Sequence, residues 1–285
     1  MNGPRTRGLG SSLREHPGRL VVCPTPIGNL EDVTLRVLAA LREADFVACE
    51  DTRRTRILLD RYGVKARLVS YHEHNERARA SELVGRMRDG AVVALVSDAG
   101  MPLVSDPGYL LVQACVAAGL PVEVLPGPSA AITALVASGL PADEWHFHGF
   151  LPRKRGELRR VLSEPGGTLV AFESPRRVPA TLALLAELDP VREVAVCREL
   201  TKVHEEIVRG SATELAERYA GAAPKGEVVL VIGAAPEAGA GEPAAVDALR
   251  RLVDAGAHPR KAAAVVAELT GASANSLYRA LTSGD

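Results

Sequence analysis

The sequence predicts an α/β protein with two α/β domains, a parallel sheet in the first and a mixed sheet in the second, plus a small helical C-terminal unit. Up to about residue 140, short apolar runs alternate five times with helical patterns, which is typical of a parallel sheet covered by helices. Few strong helices follow Arg198, which favours a mixed second sheet. An Ala/Gly/Pro-rich stretch at 234–243 then precedes a helical C-terminus.

The first domain is predicted to span residues 19–140. Its buried strands are expected at 20–23, 46–49, 67–70, 91–96 and 122–125, where valine, leucine and alanine dominate. Asn29 or Asp32 is expected to cap the first helix. The inner face of that helix is predicted from a helical spacing of apolar residues, namely Val33, Val37, Leu38 and Leu41.

The second domain is predicted to span residues 141–234, with strands at 145–150, 168–172, 194–197 and 228–232. Residues 244–285 are predicted as three short helices, the second broken by Gly271 and the third capped by Ser273. The short turn between the last two resembles a helix-turn-helix. Residues 1–18 are rich in Gly, Ser and Arg and are expected to be a disordered extension.

Composition limits the possible functions. The net charge of −1 gives the whole chain no general attraction to nucleic acid, so an RNA site must be a local basic cluster. The four cysteines are far apart in apolar surroundings, which favours buried reduced thiols and no metal site. With no apolar run of membrane-spanning length and no signal sequence, a cytoplasmic protein without a membrane partner is expected.

Three loops of similar composition follow predicted strands, at residues 24–29, 97–108 and 126–129. Glycines let backbone approach a ligand closely, and prolines fix the path of the chain around them. Open α/β sheets bind ligands at the carboxyl ends of their strands. The first loop has one glycine where a dinucleotide fingerprint needs three, and no phosphate-binding loop is evident. The loops therefore favour a ligand held mainly by backbone groups, and a nicotinamide enzyme is disfavoured.

Several motifs together resemble one family. They are Pro-Thr-Pro-Ile-Gly-Asn-Leu at 24–30, Glu-Asp-Thr-Arg at 50–53, Ser-Asp-Ala-Gly to Ser-Asp-Pro-Gly at 97–108, Pro-Gly-Pro-Ser-Ala at 126–130, Gly-Phe-Leu-Pro at 149–152, Glu-Ser-Pro-Arg-Arg at 173–177 and Arg-Glu-Leu-Thr-Lys-Val-His-Glu-Glu at 198–206. The combination resembles the tetrapyrrole-methylase superfamily, and within it the 2′-O-ribose methyltransferases of small-subunit ribosomal RNA. At position 101 the family pattern is expected to have a small polar residue, whereas this sequence has Met101.

The resemblance implies a homodimer with S-adenosyl-L-methionine folded into a cleft between two domains. It also implies 2′-O-methylation of a cytidine in 16S ribosomal RNA, with an assembled small subunit as the partner. The cofactor contacts that it implies are made mostly through backbone, by Pro26, Ala99, Gly100, Leu103, Val104, Ser105, Ser129 and Ala130 in the first domain and Phe172, Glu173 and Leu200 in the second.

Transfer to a ribose hydroxyl needs positioning and a base near the departing proton. The candidates are Glu173, Glu199, Lys154 and Lys202. We expect Glu173 or Lys154 to place or deprotonate the hydroxyl. The alternative is that Glu173 only pairs with an arginine.

Two basic clusters are candidates for RNA contact. One holds Arg153, Lys154, Arg155, Arg159 and Arg160, and the other holds Arg176 and Arg177. Such side chains position phosphates without reading sequence, although either cluster alone could be a solvated face. His72 and His74 are interpreted as a polar loop, and Asp98 and Asp106 as acids or as turn-forming residues. Two other functions stay open, a methyltransferase for a corrin or porphyrin precursor and a non-catalytic ribosome-assembly factor.

Overall fold

The computed structural model describes residues 18–235, 241–270 and 272–282. The predicted extension before Gly18, the middle of the predicted linker and the helix break at Gly271 lie outside these ranges. The chain divides into two compact units. Unit 1 runs to Ala137 and includes Val196–Ile207 and Lys225–Val229, and unit 2 holds the rest.

The sheet of unit 1 has five strands: β1 (Arg19–Val22), β2 (Phe46–Cys49), β3 (Leu68–Ser70), β4 (Val92–Leu95) and β5 (Val122–Val124). Their order across the sheet is β3-β2-β4-β1-β5, and every pair is parallel. The predicted parallel sheet is therefore confirmed. Because β4, β1 and β5 are neighbours, the loops that follow them leave the same edge of the sheet.

Helices cover both faces of this sheet: α1 (Leu35–Glu43), α2 (Thr52–Arg61), α3 (Glu76–Arg88), α4 (Tyr109–Ala117) and α5 (Ala130–Ser138). One core lies beneath α1 and α2, and a second beneath α3 and α4. The predicted inner face of α1 is buried. The predicted cap is wrong: Asn29 caps a 3-10 turn at Leu30–Asp32, and the Thr34 hydroxyl accepts from the Val37 amide to begin α1.

The second sheet contains β6 (Trp145–Phe150), β7 (Thr168–Glu173), β8 (Glu193–Arg198), β9 (Glu206–Ser211) and β10 (Val228–Ile232), in the order β6-β7-β10-β8-β9. Strands β6 and β7 are parallel. The amide of Gly233 bonds to Glu193 and the amide of Glu199 bonds to Glu227, so opposite ends of β8 and β10 meet and these strands are antiparallel. The sheet is mixed, as predicted.

Three helices accompany the second sheet: α6 (Arg155–Ser163), α7 (Val178–Leu188) and α8 (Ala212–Tyr219). Strand β9 and helix α8 were not predicted. Glu206 and Arg209 interrupt the apolar pattern of β9. The sequence does contain a pattern typical of a helix start at α8, because Ser211 and Glu214 are spaced as a capping box and form one in the structure.

The C-terminal helices are α9 (Gly241–Asp254), α10 (Pro259–Thr270) and α11 (Ala274–Thr282). They share a small core of their own, around Leu249, Val266 and Leu277. Among the described residues, no helix combines the length and apolar character that crossing a bilayer requires.

Candidate functional site

Three loops of unit 1 meet at the carboxyl edge of the parallel sheet. We name them loop A (residues 24–29, after β1), loop B (97–108, after β4) and loop C (126–129, after β5). Parallel neighbours lie about 4.8 Å apart, so strand order alone brings these loops close together. Hydrogen bonds and close packing between the loops fix their mutual positions.

Loop A is joined to loop B by backbone hydrogen bonds and by one buried hydroxyl. Thr25 and Gly100 exchange two amide–carbonyl hydrogen bonds of 2.9 Å. The Thr25 hydroxyl donates to the Ser97 carbonyl at 3.0 Å, and the Ser97 hydroxyl donates to the Gly100 carbonyl at 3.0 Å. Both side chains are buried, so these bonds are shielded from water. The Thr25 bond ties loop A to loop B, and the Ser97 bond holds the start of loop B against its own Gly100.

Loop C packs directly on loop A. A Cβ atom added to Gly127 would lie 2.5 Å from Cγ of Pro24, a distance that no side chain tolerates. A Cβ on Gly100 would lie 3.8 Å from the Pro128 carbonyl oxygen. The glycines of the loops are thus needed for close approach between the loops themselves.

A fourth segment, which we name turn D (residues 199–205), lies against the other side of loop A. The Thr201 hydroxyl accepts from the Asn29 amide at 3.1 Å. A Cβ on Gly28 would lie 2.5 Å from Cγ of Lys202 and 2.8 Å from the Leu200 carbonyl oxygen. Lys202 in turn pairs with Glu199 at 2.9 Å and Glu227 at 3.0 Å, which holds the turn in place.

The backbone is strained in loop B and turn D. Four described residues other than glycine have a positive φ: Leu103 at 74°, Ser105 at 63°, Glu199 at 52° and Thr201 at 66°. Each such conformation costs on the order of 1 kcal/mol and persists only where the surroundings enforce it. Strained backbone concentrates at ligand sites, and here it lies entirely in the two segments that flank loop A.

The far end of loop B is held by Glu76, at the start of α3. Its carboxylate accepts from the Gly108 amide at 3.2 Å and the Leu110 amide at 3.4 Å. These amides open α4, where a carboxylate complements the positive end of the helix dipole. The buried Tyr71 hydroxyl donates to the same carboxylate at 3.2 Å. Loop B is therefore anchored at both ends.

Acidic side chains line the same edge of the sheet. Burial, together with Glu50 and Asp98, raises the pKa of Asp106 to about 6. Burial and the charge of Asp98 raise the pKa of Glu50. Asp98 itself accepts from the Asp51 amide at 3.0 Å and lies 3.6 Å from the Arg54 guanidinium. The edge combines exposed backbone with negative charge, a chemistry that suits a cationic organic ligand.

The residues proposed for cofactor contact occupy different depths in these segments. Pro26, Gly100 and Leu200 are buried, Val104 and Ser105 are exposed, and the partly buried ones are Ala99, Leu103, Ser129 and Ala130. All of them lie in unit 1, in loops A and B, at the junction of loop C with α5, and in turn D. Phe172 lies in β7 of unit 2.

Glu173 is a buried carboxylate with both oxygens bonded. One oxygen accepts from the Ser174 amide at 2.7 Å, and the other from the Thr181 hydroxyl at 2.8 Å, with the Arg177 guanidinium 3.3 Å away. Arg177 also donates to the carbonyls of Leu151 and Pro152. The arginine pairing considered as the alternative for Glu173 is therefore present, and Arg177, which is partly exposed, makes its contacts within unit 2.

The basic cluster near α6 is largely neutralised. Lys154 is 82% exposed, and its amine lies 3.1 Å from the Glu157 carboxylate. Arg155 pairs with Glu187 at 2.6 Å. Arg153 and Arg176 are exposed, and neither has an ion-pair partner among the described residues.

His72 and His74 do not form a shared site. Their rings are 6.0 Å apart, His74 is exposed, and Nε2 of His72 lies 3.2 Å from the Asn75 side-chain nitrogen. The four cysteines are free and buried, as expected. Burial raises the pKa of the Cys23 thiol to about 12, so it stays protonated at neutral pH.

A sequence profile described as "Tetrapyrrole (Corrin/Porphyrin) Methylases" matches residues 19–216, a range that contains loops A to C and turn D. The chain belongs to the tetrapyrrole methylase family. A second profile, described as "RsmI C-terminal HTH domain", matches residues 240–284. Three curated proteins of similar sequence match between 75% and 92% of this chain.

Curated relatives bear the name "Ribosomal RNA small subunit methyltransferase I". The protein from Mesorhizobium japonicum is 49% identical over 92% of this chain and 90% of its own length. The protein from Escherichia coli O157:H7 is 44% identical over 92% of this chain and 94% of its own. The protein from Thermotoga maritima is 44% identical over 98% of its length but only 75% of this chain, so about a quarter of this chain has no counterpart in it.

Solved structures share the fold. A uroporphyrin-III-C-methyltransferase from Thermus thermophilus superimposes with a TM-score of 0.57 at 25% identity, covering 76% of this chain and 94% of its own. A diphthine synthase superimposes with a TM-score of 0.56 at 17% identity, covering 76% and 90%. The fold of this family member is therefore shared by proteins with different names, and the substrate must be argued from other residues.

Proposed function

We propose that this protein transfers a methyl group from S-adenosyl-L-methionine to the 2′-hydroxyl of a cytidine in 16S ribosomal RNA. The relatives that match most of its length are named as small-subunit ribosomal RNA methyltransferases. The observation that carries the proposal is the meeting of loops A, B and C with turn D at one sheet edge. That edge offers backbone polar groups and carboxylates, which suit a zwitterionic sulfonium nucleoside.

The residues present fit this cofactor. The absence of side chains at Gly28 and Gly127 lets loop A pack closely on turn D and loop C, and the left-handed backbone of Gly100, with φ of 79°, suits a residue without a side chain. In unit 1, the cofactor would be held by Pro26, Ala99, Gly100, Leu103, Val104, Ser105, Ser129, Ala130 and Leu200. When bound, it supplies a methyl group that is already activated by a positively charged sulfur. The chain therefore contributes position above all, and Asp106 and Glu50 contribute negative charge.

We propose that Glu173 acts as a positioning residue. Its carboxylate holds Arg177, which in turn holds the carbonyls of Leu151 and Pro152, so the basic loop that follows has a fixed start. Lys154 is exposed and would bind an RNA phosphate as an ammonium group. Turnover by Glu173→Gln and Lys154→Ala variants tests both roles. Wild-type rates in both variants would remove both residues from the mechanism.

We propose an assembled small subunit in the cytoplasm as the substrate, and Arg153, Arg155 and Arg176 as its phosphate contacts. Arg155 would exchange Glu187 for a phosphate, whereas Arg153 and Arg176 are already free of acidic partners in the described chain. Arg177, also predicted to contact RNA, supports the loop from within. We also propose a homodimer, which would cover the exposed apolar face of α5 formed by Ile132 and Val136.

A single experiment separates the three functions considered. The protein is incubated with methyl-labelled donor and either purified small subunits or a uroporphyrinogen. Label in the small-subunit RNA, at a ribose resistant to alkaline cleavage, supports the proposal. Label in the tetrapyrrole would replace it with small-molecule methylation. Binding to small subunits without label in either would indicate a non-catalytic assembly factor.

A further inference from the structure

Three of the four phenylalanines in this aromatic-poor chain lie together in unit 2. Phe147 and Phe150 are on β6, and Phe172 is on β7. The Phe172 ring contacts both others edge-to-face, with centroids 5.0 Å from Phe147 and 5.5 Å from Phe150. Strand β6 is at the edge of its sheet, and the Phe150 side chain there is 64% exposed. A large exposed ring backed by two others is unusual on a surface and indicates a binding role.

A β-bulge creates this cluster. Phe147 pairs with Val170, but Phe150 pairs with Phe172, so three steps on β6 match two on β7. In a regular strand Phe147 and Phe150 would point to opposite faces, because successive side chains alternate. The extra residue lies at His148, and the adjacent Gly149 has a φ of 75°. Bulges re-aim side chains next to functional sites, and this one places both rings on the face of Phe172.

The surroundings of the exposed ring carry positive charge and a fixed backbone. Arg153 follows Phe150 by three residues, and Arg176 precedes the arginine that holds the Leu151 and Pro152 carbonyls. Both Arg153 and Arg176 are exposed and unpaired within the described residues. Aromatic surfaces beside basic side chains are an arrangement with which proteins bind single-stranded nucleic acid, and here the two arginines lie in the segments that follow β6 and β7.

We propose that the Phe147–Phe150–Phe172 cluster is a stacking platform for one unpaired base of the RNA substrate, with Phe150 as the ring in contact. Phe172 and Phe147 support it from behind, and Arg153 and Arg176 hold the neighbouring phosphates. This inference rests on the proposed function, for which it supplies the site that orients the RNA strand. Stacking needs no base-specific hydrogen bonds, so the platform fixes position rather than sequence.

The test compares Phe150→Leu, which keeps an apolar side chain without a π face, with Phe150→Tyr, which keeps the ring. Val191→Ala, at another exposed apolar position of unit 2, is the matched control. One arm measures KM and kcat for purified small subunits with labelled donor. A second arm measures binding of a fluorescent cytidine-containing single-stranded RNA of about ten nucleotides by anisotropy, a length that spans one stacking site. Donor affinity and oligomeric state are measured for every variant.

We expect Phe150→Leu to raise KM for small subunits and Kd for the oligonucleotide by about tenfold, since stacking on an aromatic ring contributes ~1–3 kcal/mol per base. Phe150→Tyr should restore both to within about threefold, because its ring still stacks. Unchanged RNA affinity in Phe150→Leu overturns the inference. So does loss of donor affinity, which would place the donor on the ring, or loss of a dimer, which would make the face a protein interface.

The two arms keep this inference separate from the proposed function. If the wild type binds the oligonucleotide through Phe150 but methylates nothing, the platform stands and the proposed reaction fails. If the wild type methylates small subunits and Phe150→Leu does so equally well, the reaction stands and the platform fails. A wild type that binds no RNA in either arm refutes the platform.

Discussion

In loop B, the partly buried carboxyl group of Asp106 lowers the free energy of unfolding at neutral pH. Burial, with the nearby charges of Glu50 and Asp98, raises the pKa of Asp106 to about 6, whereas an unfolded aspartate titrates near 3.9. Between these values the folded chain binds more protons than the unfolded chain. The free energy of unfolding therefore falls as pH rises through about 4 to 6, and the full cost is present at neutral pH.

The Asp106→Asn variant should remove this cost. We expect its free energy of unfolding to exceed that of the wild type by ~1–2 kcal/mol at pH 7.5 and to match it near pH 4. Urea unfolding at a series of pH values measures the difference. Asp60→Asn, on the exposed side of α2, controls for loss of one negative charge. A constant difference across the pH range would contradict this origin of the effect.

The packing of loop A on turn D depends on the absence of a side chain at Gly28. A Cβ at Gly28 would overlap the Lys202 side chain and approach the Leu200 carbonyl, which belongs to the backbone and cannot rotate away. Gly28→Ala should therefore separate the two segments and lower the free energy of unfolding by ~1–3 kcal/mol, as overpacking does. Donor affinity, measured by calorimetry, should fall at least tenfold.

Gly85→Ala is the matched control for this substitution. Gly85 lies within α3, and a Cβ there would meet nothing within 4 Å. Alanine favours a helix over glycine by ~0.5–1 kcal/mol, so this variant should be slightly more stable and bind donor normally. If Gly28→Ala also bound donor as tightly as the wild type, the contact with turn D would have no part in the site.

Elements with a regular pattern could be predicted from the sequence, and irregular ones could not. The parallel strands followed from apolar runs ended by Gly and Pro loops. The first helix begins later than predicted because Leu30–Asp32 form a 3-10 turn, which uses Asn29 as its own cap. The bulge in β6 was not predicted, although Gly149 inside the strand and the three-residue spacing of Phe147 and Phe150 are signals of one.

The candidate site shows the same limit. Loops A, B and C have recognisable Gly and Pro patterns, but their meeting depends on the strand order β4-β1-β5, which is a long-range property. The role of Thr25 could not be predicted locally, because its hydroxyl bonds to the Ser97 carbonyl of loop B, 72 residues further along the chain. The burial of Glu173 and the internal use of Arg177 likewise required three-dimensional contacts.

For the molecule as a whole, α5 presents an apolar face that unit 1 leaves exposed. Ile132 is 46% exposed and Val136 is 74% exposed, and four residues apart they lie on one side of the helix. Such a face is expected to be covered in a homodimer. Val136→Lys should then shift the protein to a monomer in light scattering during gel filtration, while Leu269→Lys, at another exposed apolar position, should not. An unchanged mass for Val136→Lys would remove α5 from the interface.

The C-terminal helices can be removed without opening the other cores, because α9, α10 and α11 bury their apolar side chains among themselves. The Arg260 guanidinium lies 5.5 Å from the Tyr278 ring centroid within this group. The loops proposed to bind the donor belong to unit 1, so deleting residues 244–285 should leave donor affinity within about twofold of the wild type. It should weaken affinity for small subunits about tenfold, the scale of a few lost phosphate contacts.

That deletion separates two roles for the helices. Because the loops proposed to bind the donor remain in place, we expect methyl transfer to become weaker but not to be abolished. Calorimetry with donor and a titration of small subunits in the methylation assay measure the two affinities. Unchanged affinity for small subunits would show that the helices do not hold the substrate, and lost donor affinity would show that they support the loops of unit 1.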